Sequence, residues 1–285
     1  MSFQPVIPMG GYAGWQFLTR TLASQQAAFN AAPAQQRDTD HFAAAIGQIT
    51  TVDQLMADPR LLNVALGAFG LGDRAGAKAL IAKSLGSNTS DSSSLVNTLS
   101  DKRFLAMAQA FGFGDGTPHT GDPGFANRII AAYQAQQFAT AVGTQDSALQ
   151  LALQTRSSLA NLATSDMSDA AKWYSVLGSP SLRQVFETAY GLPSSFVGID
   201  IDRQLSVMEE KTQDSFGANT VSQFGTPDKM DALIKRFLVR SDIQGGTGGT
   251  GTSATSIAVQ LLGGAVTSQT TSASAGAASI LTLFS

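Results

Sequence analysis

DPRLLNVALGAFGLGD, residues 58–73, spells one helix together with its start and its stop. Asp58 suits the N-cap, where a short side-chain oxygen accepts a backbone N–H that has no helical partner. Pro59 at the first helical position loses nothing, because that N–H is an orphan in any helix. Leu61, Val64, Ala65 and Ala68 follow at i, i+3, i+4 and i+7, the spacing of a core-facing stripe. Phe69 closes the run, and Gly70 falls where the chain must turn through positive φ. Leu71 supplies the apolar contact that accompanies a Schellman stop.

The same spelling returns at an offset of 121 residues in SPSLRQVFETAYGLP, residues 179–193. Pro180, Leu182, Val185, Ala189, Gly191 and Leu192 repeat Pro59, Leu61, Val64, Ala68, Gly70 and Leu71, and Tyr190 stands where Phe69 stood. The polar positions disagree, with Gln184 for Asn63, Glu187 for Leu66 and Thr188 for Gly67. A looser version, DKRFLAMAQAFGFGD at 101–115, ends on Phe111-Gly112 and aligns only with one residue deleted. Cap, stripe and stop recur while polar positions do not. That predicts a packing unit written more than once, an imperfect internal repeat, rather than a catalytic signature.

Helical periodicity dominates the rest, and strict alternation of strand type is hard to find. Residues 15–29 form an amphipathic run that Pro33 ends; 39–49 form another, and Thr50-Thr51-Val52-Asp53 offers a capping-box start. Residues 126–138 place Ile129, Ile130, Tyr133 and Phe138 on or near one face, and 145–162 carry regularly spaced leucines. Asp200 opens a further segment. Thr226-Pro227 opens the last one, with Met230, Leu233, Ile234, Phe237 and Leu238 in register. The expectation is an all-α protein of about ten helices. An irregular arm over 1–13 precedes a helical domain over 14–242, whose halves divide near 140–165. Residues 243–285 carry no charge and consist mostly of Gly, Ser, Thr and Ala, which predicts a flexible low-complexity tail. Two apolar patches, 257–262 and 280–284, interrupt it.

At 285 residues and 43% hydrophobic, the chain is long enough to bury a core. Only 14% of residues are charged, against roughly 25% in ordinary globular proteins. A net charge of −3 and a pI near 5.3, without a Lys/Arg cluster, argue against nucleic acid and anionic membrane surfaces. The absence of cysteine removes disulfides, thiol nucleophiles and cysteine-ligated zinc together. MSFQPVIPMGGYAGWQFLTR has no basic n-region and is broken by Pro and Gly, so no cleaved leader is expected. No stretch reaches the length of a transmembrane helix.

Chemistry-bearing patterns are scarce. His41 lies beside Asp38 and Asp40 in RDTDHF, which reads as a helix start with N-capping acids. His119 lies in the bent, polar loop GFGDGTPHTGDPG with Asp115 and Asp122, the first place to look for a cation, yet the order of an EF-hand is absent. GGTGGTGTS lacks the strand before it and the Lys after it that a phosphate loop needs. Asp200/Asp202 and Glu209/Glu210 fall on helix starts and solvated faces. The expectation is no catalytic residue, no metal and no cofactor: the chain is not an enzyme.

Three segments, GWQFLTRTLASQQAAF (14–29), RDTDHFAAAIGQITTVDQLMADPRLLNVALGAFGLGD (37–73) and DKRFLAMAQAFGFGD (101–115), resemble an alphaproteobacterial family of unknown function. Its genes sit among flagellar genes, and its members are sometimes labelled flagellar or basal-body proteins. The resemblance spans most of 14–240. It implies an all-helical fold and a flagellum-linked role, and it carries over no catalytic residue. Axial flagellar proteins pair heptad-like termini in coiled coils. The short N-terminal helix and Gly/Ser/Thr tail here favour an accessory or assembly factor instead. The function expected is thus a non-enzymatic structural or assembly protein of the flagellum, acting through protein partners that include flagellar components. The alternative is a soluble helical binding module unrelated to motility, with a groove between the two halves. Its expected place is the cytoplasm, or the flagellum after export without a cleaved leader.

Overall fold

Asp58 caps a helix as its sequence dictates. The structure, a computed structural model, describes residues 3–246. Asp58 Oδ1 accepts from the N–H groups of Arg60 (2.9 Å) and Leu61 (3.1 Å). The preceding helix α3 (Val52–Ala57) starts on a complete capping box between Thr51 and Gln54. Helix α4 (Pro59–Ala68) then stops at Gly70, where φ is +68°. There the Leu71 N–H reaches the Leu66 carbonyl at 2.8 Å and the Gly70 N–H reaches Gly67 at 3.1 Å, the two bonds of a Schellman motif.

Helix α11 (Pro180–Tyr190) ends on the same pair of bonds. The Leu192 N–H meets the Glu187 carbonyl at 2.9 Å and the Gly191 N–H meets Thr188 at 3.0 Å. The starts differ, however. Ser179 makes no side-chain cap bond, so the capped start belongs to α4 and not to α11. Helix α7 (Arg103–Phe111) ends on a single bond from the Gly112 N–H to the Ala108 carbonyl, 2.9 Å, the simpler left-handed stop.

Among the described residues there are thirteen α-helices and no strand. The all-α expectation holds, while the count of about ten was low because three elements lack a conspicuous stripe. They are α5 (Lys78–Leu85), the single turn α6 (Leu95–Thr98) and α10 (Asp169–Gly178). The first helix, α1, runs Gly11–Asn30, so the irregular arm ends at Gly10. That arm is held down: Gln25, 7% exposed, accepts from the Val6 N–H at 2.7 Å and donates back to its carbonyl at 3.1 Å. Pro33 starts α2 (Pro33–Ala45) rather than ending a run, which is its favoured first-turn position. Asp38, Thr39 and Asp40 therefore sit inside α2, and the Thr39 hydroxyl bonds back to the Gln35 and Gln36 carbonyls instead of capping.

The remaining long helices are α8 (Phe125–Gly143), α9 (Ser147–Ala163), α12 (Ile201–Phe216) and α13 (Pro227–Gly246). Helix α13 carries the described chain past 242, the expected end of the helical domain. The apolar patches at 257–262 and 280–284 lie outside the described residues. Residues 1–238 form one compact unit and the second begins at Val239; the described part of the second is the last turns of α13.

Buried apolar groups fall into two clusters. The first centres on α4, whose Leu61, Leu62, Val64, Ala65, Leu66 and Ala68 are all buried, a wider buried face than one stripe, with Arg60 and Asn63 left exposed. The second centres on α11, where Phe186 stacks edge-on against Trp173 (5.4 Å) and Phe224 (5.5 Å). Helix α8 serves both. Phe125, Ile129 and Tyr133, spaced i, i+4, i+8, enter the first cluster; Phe138, Ala139 and Val142 enter the second. Phe138 thus does not share the face of Ile129 and Tyr133: it meets Phe29 of α1 at 5.7 Å. Close contact of α4 with α8 requires Gly67, since a Cβ there would lie 2.6 Å from the Tyr133 ring.

Candidate functional site

Where α8 passes from one cluster to the other, Gln136 lies on the floor of a cleft of about 460 Å³. One wall is the start of α7, with Lys102, Arg103 and Leu105; the other runs from Leu162 and Met167 to Leu182 of α11. A neighbouring recess of about 590 Å³ shares Arg103 and Gln136 and continues toward Gly70 and Gln184. Phe69, Leu105, Leu162, Met167 and Leu182 give the 460 Å³ cleft apolar area, while serine hydroxyls and Gln and Asn amides supply uncharged polar positions. Its charged lining residues are both cations, Lys102 and Arg103. The arrangement suits recognition of apolar side chains framed by hydrogen bonds.

Arg103 is fixed from both sides. Its Nη2 meets Asp101 Oδ2 at 2.7 Å and its Nε meets Oδ1 at 3.0 Å, while Nη1 donates to the Gly70 carbonyl. Burial works against the ionised Asp101 carboxyl, but the hydrogen bonds and charge of Arg103 outweigh it and hold its pKa below the ordinary value of 3.8. Lys102 is anchored too, its Nζ donating to the Asn97 carbonyl at 2.9 Å. The cleft wall is therefore set before any ligand arrives.

The residues of the recurring spelling lie mainly in cores. Pro59 and Pro180 open α4 and α11. Leu61, Val64, Ala68, Leu71 and Phe111 are buried in the first cluster, with Phe69 packed against it. Leu182, Val185, Ala189 and Tyr190 are buried in the second, with Leu192 against it. Phe69, Ala68 and Leu182 also reach the cleft, and Gly70 reaches the recess beside it. Tyr190 pairs with Thr212 Oγ1 at 2.6 Å; burial pushes its hydroxyl pKa up, so it stays protonated as a packing group.

The polar candidates go elsewhere. His41 Nε2 meets Asp58 Oδ2 at 2.7 Å, joining α2 to the α4 cap. Burial opposes the ionised Asp58, but the His41 hydrogen bond and the capped N–H groups hold its pKa below the ordinary value. In the 112–125 loop, Asp115 accepts from the Thr89 N–H (2.7 Å) and hydroxyl (2.8 Å), whereas His119 Nδ1 faces the Ala110 carbonyl at 3.2 Å. Asp115, His119 and Asp122 do not converge, and no group of three or more His, Asp or Glu able to hold a metal occurs among the described residues. Asp200 caps α12 and Asp202 accepts from the Tyr174 hydroxyl at 2.7 Å. Among the described residues no helix is long and apolar enough to cross a membrane.

Fold and site together define an all-α protein with two apolar clusters and, at their junction, a largely apolar cleft whose charged lining residues are Lys102 and Arg103. Residues 68–230, more than half of the chain, match the family described as "Protein of unknown function (DUF1217)", and the chain belongs to that family. A similar fold occurs in the X-ray crystal structure of a structural-genomics target protein from Agrobacterium tumefaciens. It aligns with a TM-score of 0.70 at 24% identity, covering 85% of this chain and 99% of that one. At that identity the likeness is one of fold. Among curated proteins none matches.

Proposed function

We propose that the chain is a non-enzymatic binding protein whose working surface is the cleft between α7, α8 and α11, and that it serves assembly of the bacterial flagellum. The observation that carries the binding reading is the cleft of about 460 Å³, whose apolar walls are edged by amides and hydroxyls. An amphipathic helix of a partner protein fits that chemistry, because apolar anchors at i, i+3, i+4 enter such grooves while backbone and polar groups meet the rim. The flagellar setting rests on the resemblance of segments 14–29, 37–73 and 101–115. Met167, 44% exposed at the rim, is an apolar side chain held toward solvent beside the cleft, as an anchor for a partner would be.

A deletion strain tests both parts. Swimming should be lost, restored by the wild-type chain, and not restored by Met167→Glu, whose exposed position leaves folding intact. Normal swimming and filament number in the deletion would sink the flagellar setting. Full rescue by Met167→Glu together with Leu105→Glu would sink the cleft as the working surface. A binding module unrelated to motility, the other reading of the same cleft, gains if a partner is captured through the cleft but the deletion swims.

A further inference from the structure

A separate recess, of about 400 Å³, opens between α1, α9 and α13. Tyr12 and Trp15 of α1 form part of its wall, Trp15 being only 2% exposed. Three charged side chains from three helices line it: Arg20, Arg156 and Asp231. All three are exposed, and none of the ion pairs within 4.0 Å among the described residues includes them. Among the described residues Arg20 donates only from Nε, to the Gln16 carbonyl at 3.0 Å, and both terminal nitrogens have no partner there. Arg156 donates no side-chain hydrogen bond among the described residues. Asp231 even lacks its natural neighbour. Lys235 stands at i+4 on the same helix, the spacing of a helical ion pair. Its ammonium instead lies 5.3 Å above the Tyr12 ring, a cation–π contact.

The recess therefore presents exposed charges of both signs that form no ion pair within 4.0 Å among the described residues. A pure anion would meet the Asp231 carboxylate, and a pure cation would meet two guanidiniums. A ligand with both charges satisfies all three. The planar guanidinium fork matches a carboxylate, and an acceptor-only carboxylate matches an ammonium. We propose that the recess between α1, α9 and α13 binds a small zwitterion of the free amino-acid kind, its carboxylate held by Arg20 and Arg156 and its ammonium by Asp231. Tyr12 and the edge of Trp15 offer the ligand side chain an aromatic wall. This site is independent of the cleft at Gln136.

The experiment titrates the full chain with the common free L-amino acids, each beside its N-acetyl and C-amide derivative, read by calorimetry and tryptophan fluorescence. Of the two tryptophans, Trp15 lines the recess and Trp173 is fully buried in the second cluster, so a fluorescence change reports on Trp15. At least one free amino acid should bind saturably, and both of its blocked derivatives should bind about tenfold or more weakly. Arg156→Gln and Asp231→Asn, both at exposed positions, should each weaken it about as much while melting like the wild type. No saturable binding of any free amino acid at millimolar concentration overturns the proposal. So does an N-acetyl derivative that binds as tightly as its parent, or unchanged affinity in Asp231→Asn.

Discussion

The Arg103 guanidinium donates to the Gly70 carbonyl, 33 residues earlier in the chain. A helix stop leaves carbonyls without partners, and a cation placed there both accepts that role and opposes the negative end of the helix. Helix α7 thereby anchors the end of α4, and Asp101 keeps the guanidinium aimed.

Replacing Arg103 by Leu should destabilise the protein by about 1.5–3 kcal/mol, the range for hydrogen bonds to a charged group. The Asp101→Asn, Arg103→Leu double variant should cost less than the two single changes added together, because the partners share one interaction. Urea denaturation of all three variants measures this; strict additivity would show that Arg103 acts on Gly70 alone.

Gly67→Ala should destabilise by about 1–3 kcal/mol, because its methyl enters the Tyr133 ring in a packed contact. Gly72→Ala meets nothing within 4 Å and serves as the control, with a melting temperature close to wild type. Equal melts for the two variants would refute the close α4–α8 contact.

Asp58→Ala should cost about 1 kcal/mol through the lost N-cap, while Ser179→Ala, which removes no cap bond, should be close to neutral. Thermal melts of the pair separate two helix starts that look alike on paper. A comparable cost for Ser179→Ala would restore the symmetric reading.

Asp58 and Asp101 both have folded-state pKa values below 3.8, so the unfolded chain binds more protons than the folded one in acid. Their contribution is fully present above the unfolded value and is lost as pH falls through the folded values. Stability should therefore drop below about pH 4. Asp101→Asn should flatten that drop while lowering stability at neutral pH. A wild type and variant with parallel acid profiles would contradict the Asp101–Arg103 coupling.

Leu61→Ala should cost roughly 2–5 kcal/mol as a cavity at a buried position. Gly70→Ala should cost about 1 kcal/mol, since its φ of +68° is strained for a side chain with a Cβ. Silence of both in chemical denaturation would mean that the helix is not a core element.

Much of the fold is legible because its signals act within one turn. Thr51 with Gln54, Asp58 with Leu61, and Gly70 with Leu71 each meet residues already adjacent in the chain. Helix α10 was missed although Ser168 caps it and Asp169 follows, because its apolar stripe is short. Asp38 and Asp40 misled because capping residues and helix-interior residues share one spelling, and Pro33, placed earlier, decides which applies. The candidate sites were not legible. Arg103, Gln136 and Leu182 line one cleft, and Arg20, Arg156 and Asp231 another, without any common motif.

The sequence by itself determined that this protein is helical, where α4 begins and ends, and that Leu61, Val64, Ala65 and Ala68 turn inward. Those choices depend on propensity, capping and periodicity, which operate over a few residues. Only the tertiary structure decided that α8 serves two clusters, that Gly67 admits Tyr133, and that Arg103 closes α4. It alone left Asp231 without Lys235. Such pairings depend on where whole helices pack, and side-chain packing, unlike the local helical turn, joins residues far apart in the chain.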